Sequence, residues 1–325
     1  MSLTSHLEDK SSPIYHFFSE NFSDAVPARA TLASTDDVGV VFGRCDPDGE
    51  RPRKPAWRLG EPQVLPRSED RAGYPWDTVG TMFDYRVRFL FPSREGDHRV
   101  ARSGASRLIG HWTSQLDVPP AYVDLERRLA DLRRVEPSKR GDASFERDLG
   151  ALCFALALYE QVFRMGGPDE RQILFRMGPM TMLDEILELA SEAVLDDITE
   201  LTRLLVSTQT SLLASVVTPN PSFVASNSLN GADADLIAGR RLLDVKVTKS
   251  STIERISLWQ IMGYALCDLD DFYEIEEVGL YYARHGIQVV WPVEDLLALM
   301  AGRRIELRRI RVEFGELLRA LRTTH

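Results

Sequence analysis

The chain has little cysteine. Cys45, Cys153 and Cys267 are its only three, far apart and outside any CxxC or Cys/His spacing. That excludes a disulfide framework and a paired-cysteine zinc site, and it fits a reducing compartment. No window approaches the roughly 18 apolar residues of a membrane span. The most apolar run, Ala151 to Phe163, is broken by Glu160 and Gln161 and predicts a buried helix. The first residues, MSLTSHLEDKSSP, lack the basic start and apolar stretch of a secretory signal. A cytoplasmic protein with no membrane contact is expected. A basic excess is missing too. The net charge is −10, which argues against a surface coated for nucleic acid while leaving room for a local basic groove. Lysine is the scarcest charge: 34 of the 39 basic residues are Arg and 5 are Lys. Two of those five fall within one stretch, LLDVKVTK, Leu242 to Lys249.

What is present is an ordinary globular composition, 44% apolar and 27% charged over 325 residues. That length suits two domains or one elaborated domain. Residues 1 to about 119 carry few patterns. SPIYHFFSENF predicts a short helix after Pro13, Pro47 to Pro75 reads as turns and loops, and TMFDYRVRFLF fits a strand or a helix. From Pro119 to Ser215 the pattern is helical. Tyr122, Leu125, Leu129 and Leu132 form one stripe; Leu183, Ile186, Leu187, Ala190 and Val194 form another. TPNPSFVASNSLNG then breaks the helix, and short runs follow that read as strands: SFVAS, ADADLIAG and RLLDVKVT. The last two meet in a hairpin at Gly239-Arg240. A helix from Ile253 to about Asp268, the strands VGLYYAR and IQVVW turning near His285-Gly286, and helices near Pro292–Met300 and Val312–Leu321 complete the chain. The expected fold class is α/β (α+β), with a mixed sheet flanked by helices over 181–325. A mostly helical N-terminal region precedes it over 1–180.

Side chains alternate along a strand, so Asp244 and Lys246 share one face of LLDVKVTK, roughly 7 Å apart at about 3.3 Å per residue. Leu243, Val245 and Val247 share the other face and are expected to anchor it. Asp233 and Asp235 share a face of the preceding strand, and the hairpin brings a second carboxylate beside Asp244. Clustered carboxylates repel unless a cation neutralises them. A few hard oxygen ligands, with room for water and phosphate oxygens, suit Mg²⁺, for which Mn²⁺ can substitute. In the helix that follows, Gln260 and Tyr264 are four apart and therefore on one face.

Asp235, the hairpin, Asp244-x-Lys246 and a helix bearing Gln260-x-x-x-Tyr264 together resemble the PD-(D/E)XK nuclease superfamily, in particular its RecB-like and lambda-exonuclease-like branch. The resemblance covers about Asn220 to Trp291, with Ala234 standing where the family pattern has Pro. It implies a restriction-endonuclease-like sheet. It also implies a cation held by Asp235, Asp244 and the main-chain carbonyl of Val245, and a lysine, Lys246, that positions or deprotonates the attacking water. Gln260 and Tyr264 would orient that lysine or contact the DNA backbone. For the upstream helix acid used by some members, Glu192 and Glu200 are the candidates. Acid-x-Lys alone carries little information: roughly 0.75 such pairs are expected here by chance, against about 0.2 for QxxxY. Glu8-Asp9-Lys10 is one such decoy. The conjunction is specific where its parts are not.

The implied activity is a metal-dependent deoxyribonuclease, a hydrolase whose partner is DNA. A −10 chain needs a local groove or a gating partner to approach DNA. A partner protein or a second copy, acting through the N-terminal region, is therefore expected, and the resemblance to stand-alone nuclease-fold proteins implies a bacterial defence component. The rival readings are a catalytically silent nuclease-fold scaffold or DNA-binding protein, and a nuclease acting on RNA. Other polar features read as structural. Asp233 is a turn residue, Lys249 a surface charge, Asp268 to Glu277 a solvated acidic run, and His111 and His285 lone histidines. Ser103, in SGAS, lacks the strand–turn–helix setting of a nucleophile.

Overall fold

The computed structural model describes residues 3–22, 31–32, 59–66, 73–92, 98–225, 229 and 234–323. Asp233 lies outside them. The described chain forms two compact units: a sheet unit from Met1–Gln63 and Thr208–His325, and a helical unit from Val64–Ser207.

The elements in chain order are α1 (Leu3–Glu8), α2 (Pro13–Asn21), β1 (Thr31–Leu32), α3 (Trp76–Arg88), α4 (Arg99–Gly110), α5 (Pro120–Lys139) and α6 (Ala143–Arg164). They continue with α7 (Ile173–Met177), α8 (Leu183–Leu187), α9 (Glu192–Thr208), α10 (Thr210–Leu213), β2 (Val217–Pro219), β3 (Leu236–Ala238) and β4 (Arg241–Lys246). Last come α11 (Arg255–Cys267), β5 (Glu277–Tyr282), β6 (Ile287–Pro292), α12 (Val293–Ala301) and α13 (Leu307–Thr323). The mixed sheet and the helical region before it agree with the expected class. The ambiguous TMFDYRVRFLF is helical, as α3.

In the sheet unit the strand order is β1-β6-β5-β4-β3-β2, with β4 and β5 parallel and every other pair antiparallel. A parallel pair needs a crossover, and α11 supplies it. Ser12 caps α2 by accepting from Ile14 N, and Pro13 sits at the first helical position, where its missing N–H costs nothing. Trp259, Ile261, Met262, Ala265 and Leu266 bury α11 on nearly all sides. A helix apolar all round belongs in an interior, and α11 lies over β4 and β5 with α1 and α13 against it.

The expected boundary at 180/181 is displaced. α8 and α9 belong to the helical unit, while α1, α2 and β1 belong to the sheet unit. Leu3, Leu7, Ile14 and Phe18 enter the sheet unit's core, and β1 pairs with β6. Two other expectations need correction. The described residues of SFVAS, 222–225, contribute no strand; the strand beside β3 is β2, three residues earlier. Val245 and Val247 are only partly buried, whereas Leu242, on the face of Asp244, is fully buried. The acid and the lysine thus stand at the border of the core, on its own face.

Candidate active site

The β3–β4 hairpin turns at Gly239-Arg240, with Ala238 opposite Arg241. Gly239 has φ +61°, a conformation that a Cβ disfavours. The register continues as Ile237 opposite Leu242 and Leu236 opposite Leu243. Asp235, expected within the strand, lies in a bend one residue before β3. The Val245 N–H donates to Asp235 Oδ2 at 2.5 Å. In a strand a residue's N–H and C=O point to the same edge, so the Val245 carbonyl is directed toward Asp235 as well. The three oxygen donors that the resemblance implies thus lie near one corner of the sheet.

Asp244 is 3% exposed. Its Oδ2 lies 2.6 Å from Lys246 Nζ. This short ion pair with the lysine ammonium is the contact that satisfies the buried oxygen. A buried carboxylate next to a second carboxylate and a lysine has the donor chemistry of a cation ligand. Among the described residues no three His, Cys, Asp or Glu side chains converge. Two carboxylates and a carbonyl fit Mg²⁺, which keeps several waters, better than a metal that wants a full protein cage.

Lys246 Nζ also donates to Gln260 Oε1 at 2.6 Å. Gln260 Nε2 in turn donates to Tyr264 Oη at 2.9 Å and to Thr4 Oγ1 at 3.0 Å. Asp244, Lys246, Gln260 and Tyr264 therefore form one chain of contacts, joined by a residue of α1 that no sequence motif marked.

Sequence reasoning also passed over Tyr282. It is the parallel partner of Lys246 on β5. Its buried hydroxyl has no partner. Burial, and then the charges of Asp244 and Glu254, push that hydroxyl well above its ordinary range, so it stays protonated. The signal available in sequence was its place at the C-terminal end of a strand parallel to β4, where α/β sheets gather ligands.

The remaining candidates separate. Glu192 and Glu200 lie on α9 in the helical unit, paired with Arg147 and Arg203 respectively. Lys249 is exposed on the loop after β4. Asp9 of the decoy accepts from Ser11 in the turn between α1 and α2. The Ser11 side-chain hydrogen bond is the largest influence holding its carboxyl below the usual value. Asp268 corrects an expectation: it is buried rather than solvated, accepts from Phe272 N and faces Arg311. Ser103 sits within α4, where its neighbour Gly104 lets the helix meet the Tyr159 carbonyl of α6. His111 packs edge-on to Trp112 and Phe175.

Compared with known proteins, the chain matches no family model, no curated protein and no solved structure.

Proposed function

We propose that this chain is a metal-dependent nuclease of the PD-(D/E)XK type, with a restriction-endonuclease-like sheet, that hydrolyses DNA phosphodiester bonds. The observation that carries the reading is the buried Asp244–Lys246 pair, with Asp235 bonded to the next backbone amide and Gln260 holding the lysine. The order β2-β3-β4-α11-β5, with β4 parallel to β5, supports it.

Asp235, Asp244 and the Val245 carbonyl would hold Mg²⁺, with Mn²⁺ as a substitute. The bound ion supplies Lewis-acid stabilisation of phosphate charge and a more acidic water. Lys246 orients the attacking water. A compact ammonium on a flexible stem suits that role better than a planar guanidinium, which matters in a chain where Arg is the default cation. Gln260 fixes the lysine, and Tyr264 fixes Gln260. Two carboxylates in a −10 chain keep DNA away unless a groove or a partner offsets them. A gated nuclease fits that balance, with the helical unit as the partner-binding or self-associating module; a place in bacterial defence rests on the resemblance to the superfamily alone.

The test is cleavage of linear, circular and single-stranded DNA, and of RNA, with Mg²⁺ or Mn²⁺ and with EDTA. Metal-dependent DNA cleavage lost in Asp244→Ala and Lys246→Ala is expected. Undiminished cleavage by both variants removes the site, cleavage of RNA alone changes the substrate, and an inert wild type favours the silent scaffold.

A further inference from the structure

Gln260 has all of its amide groups engaged, and one of the partners comes from the first helix of the chain. Thr4 Oγ1 and Gln260 Nε2 are 256 positions apart in sequence and 3.0 Å apart in space. A side-chain amide has an acceptor end and a donor end, and which end faces a neighbour is decided by the surrounding network. Lys246 offers only donors, so it requires the oxygen. Thr4 and Tyr264 hold the amide's two hydrogens on the opposite side. Without Thr4, one of those hydrogens loses its partner in a partly buried setting, and the amide is held by Lys246 and Tyr264 alone.

The seat for α1 is built into the motif helix. Gly263 lies between Gln260 and Tyr264, and a Cβ there would stand 2.8 Å from Leu3 Cδ2 and 3.3 Å from Leu3 Cδ1. The absence of that Cβ lets α1 lie close to α11. Leu3 and Leu7 are buried in the same core as Trp259 and Met262. His6 Nδ1 meets the α2 cap residue Ser12 at 2.9 Å, which ties the two short helices together. The placement of Thr4 is therefore fixed by packing on one side of α1 and by a hydrogen bond at its end.

We propose that Thr4 is a positioning residue of the nuclease site: its hydroxyl accepts from the Gln260 amide nitrogen and anchors the side chain whose oxygen faces Lys246. This rests on the functional reading above. Thr4 itself is not catalytic; it acts through Gln260.

The test uses the full chain with Thr4→Val, Thr4→Ser, Gln260→Ala and the Thr4→Val/Gln260→Ala pair, on the DNA that the wild type cleaves with Mg²⁺. Thr4→Val keeps the shape and removes the hydroxyl. It is expected to lower kcat by about tenfold, the lower end for a lost outer-shell partner, with KM and Tm unchanged. Thr4→Ser is expected to restore kcat. In the Gln260→Ala background Thr4→Val should add no further loss, because coupled residues do not act additively. Independently of turnover, the side-chain amide NMR signals of Gln260 should move in Thr4→Val and stay in place in Thr4→Ser. Wild-type kcat in Thr4→Val, an additive loss in the double variant, or unmoved amide signals overturns the proposal. If Lys246→Ala is dead while Thr4→Val cleaves normally, only the role of Thr4 falls. If the wild type cleaves no nucleic acid with any metal, the functional reading falls and takes this role with it.

Discussion

In the helical unit, Arg86 is fully buried between two glutamates. Glu146 Oε2 accepts from its Nε at 2.6 Å and Glu146 Oε1 from its Nη2 at 2.8 Å, while the Gly141 N–H also donates to Oε1. Glu136 accepts from Arg86 and from Arg140. Every carboxylate oxygen in this cluster has a donor. In the sheet unit, Asp244 is just as deeply buried, yet one of its oxygens has only an ionic contact with Lys246. Folding explains the first arrangement, since a buried guanidinium is tolerated when carboxylates are bonded to it, although its Nη1 has no partner. Asp244 differs in its company: Asp235, bonded to the next backbone amide, and a lysine held from the far side by Gln260.

The comparison breaks or holds on substitutions. The largest effect is expected in the Arg86 cluster. Glu146→Ala strands a buried guanidinium and should cost about 3–5 kcal/mol of stability, read from urea unfolding. Next comes Asp244→Ala, which should lower metal-dependent cleavage by at least about a hundredfold while the variant still unfolds cooperatively. If Asp244→Ala destabilised as much as Glu146→Ala and left cleavage alone, the two clusters would be the same kind of thing. Tyr282→Phe removes a buried hydroxyl that has no partner. It should raise stability by about 1 kcal/mol, because an unsatisfied buried donor is a penalty; a lower Tm would show that the hydroxyl is bonded.

The smallest effect is a pH slope. His285 is buried, its ring nitrogens have no partner, and burial holds it below its ordinary pKa. The folded protein therefore resists a proton that the unfolded chain takes up as pH falls through the ordinary value. The stability it contributes is complete above that value and is lost on acidification. His285→Gln should flatten the urea midpoint between about pH 7 and pH 5.

Much of the sheet unit was legible, because period-two runs bounded by turn residues are a strong local signal. The hairpin at Gly239-Arg240, the helix carrying Gln260 and Tyr264, and the β5–β6 hairpin all lie where the pattern put them. Asp235, Asp244, Lys246, Gln260 and Tyr264 do come together. The misses have physical causes. Val217–Pro219 is too short to alternate, so the richer SFVAS was read as the strand. A six-residue α1 shows barely one turn and a half of pattern, so Leu3 and Leu7 did not announce a core. Burial of Asp268 depends on Arg311, a partner 43 positions away. Thr4 was invisible for the same reason: a hydrogen bond to a distant amide leaves no trace in spacing.

The sheet unit is assembled from two stretches of chain that flank the helical unit. A ribosome therefore makes Gln260 256 residues after Thr4, roughly 10–50 s later at ordinary elongation rates. Throughout that interval α1 has no α11 to lie on, and the contact between Thr4 and Gln260 closes only after the sequence of the whole helical unit has been made.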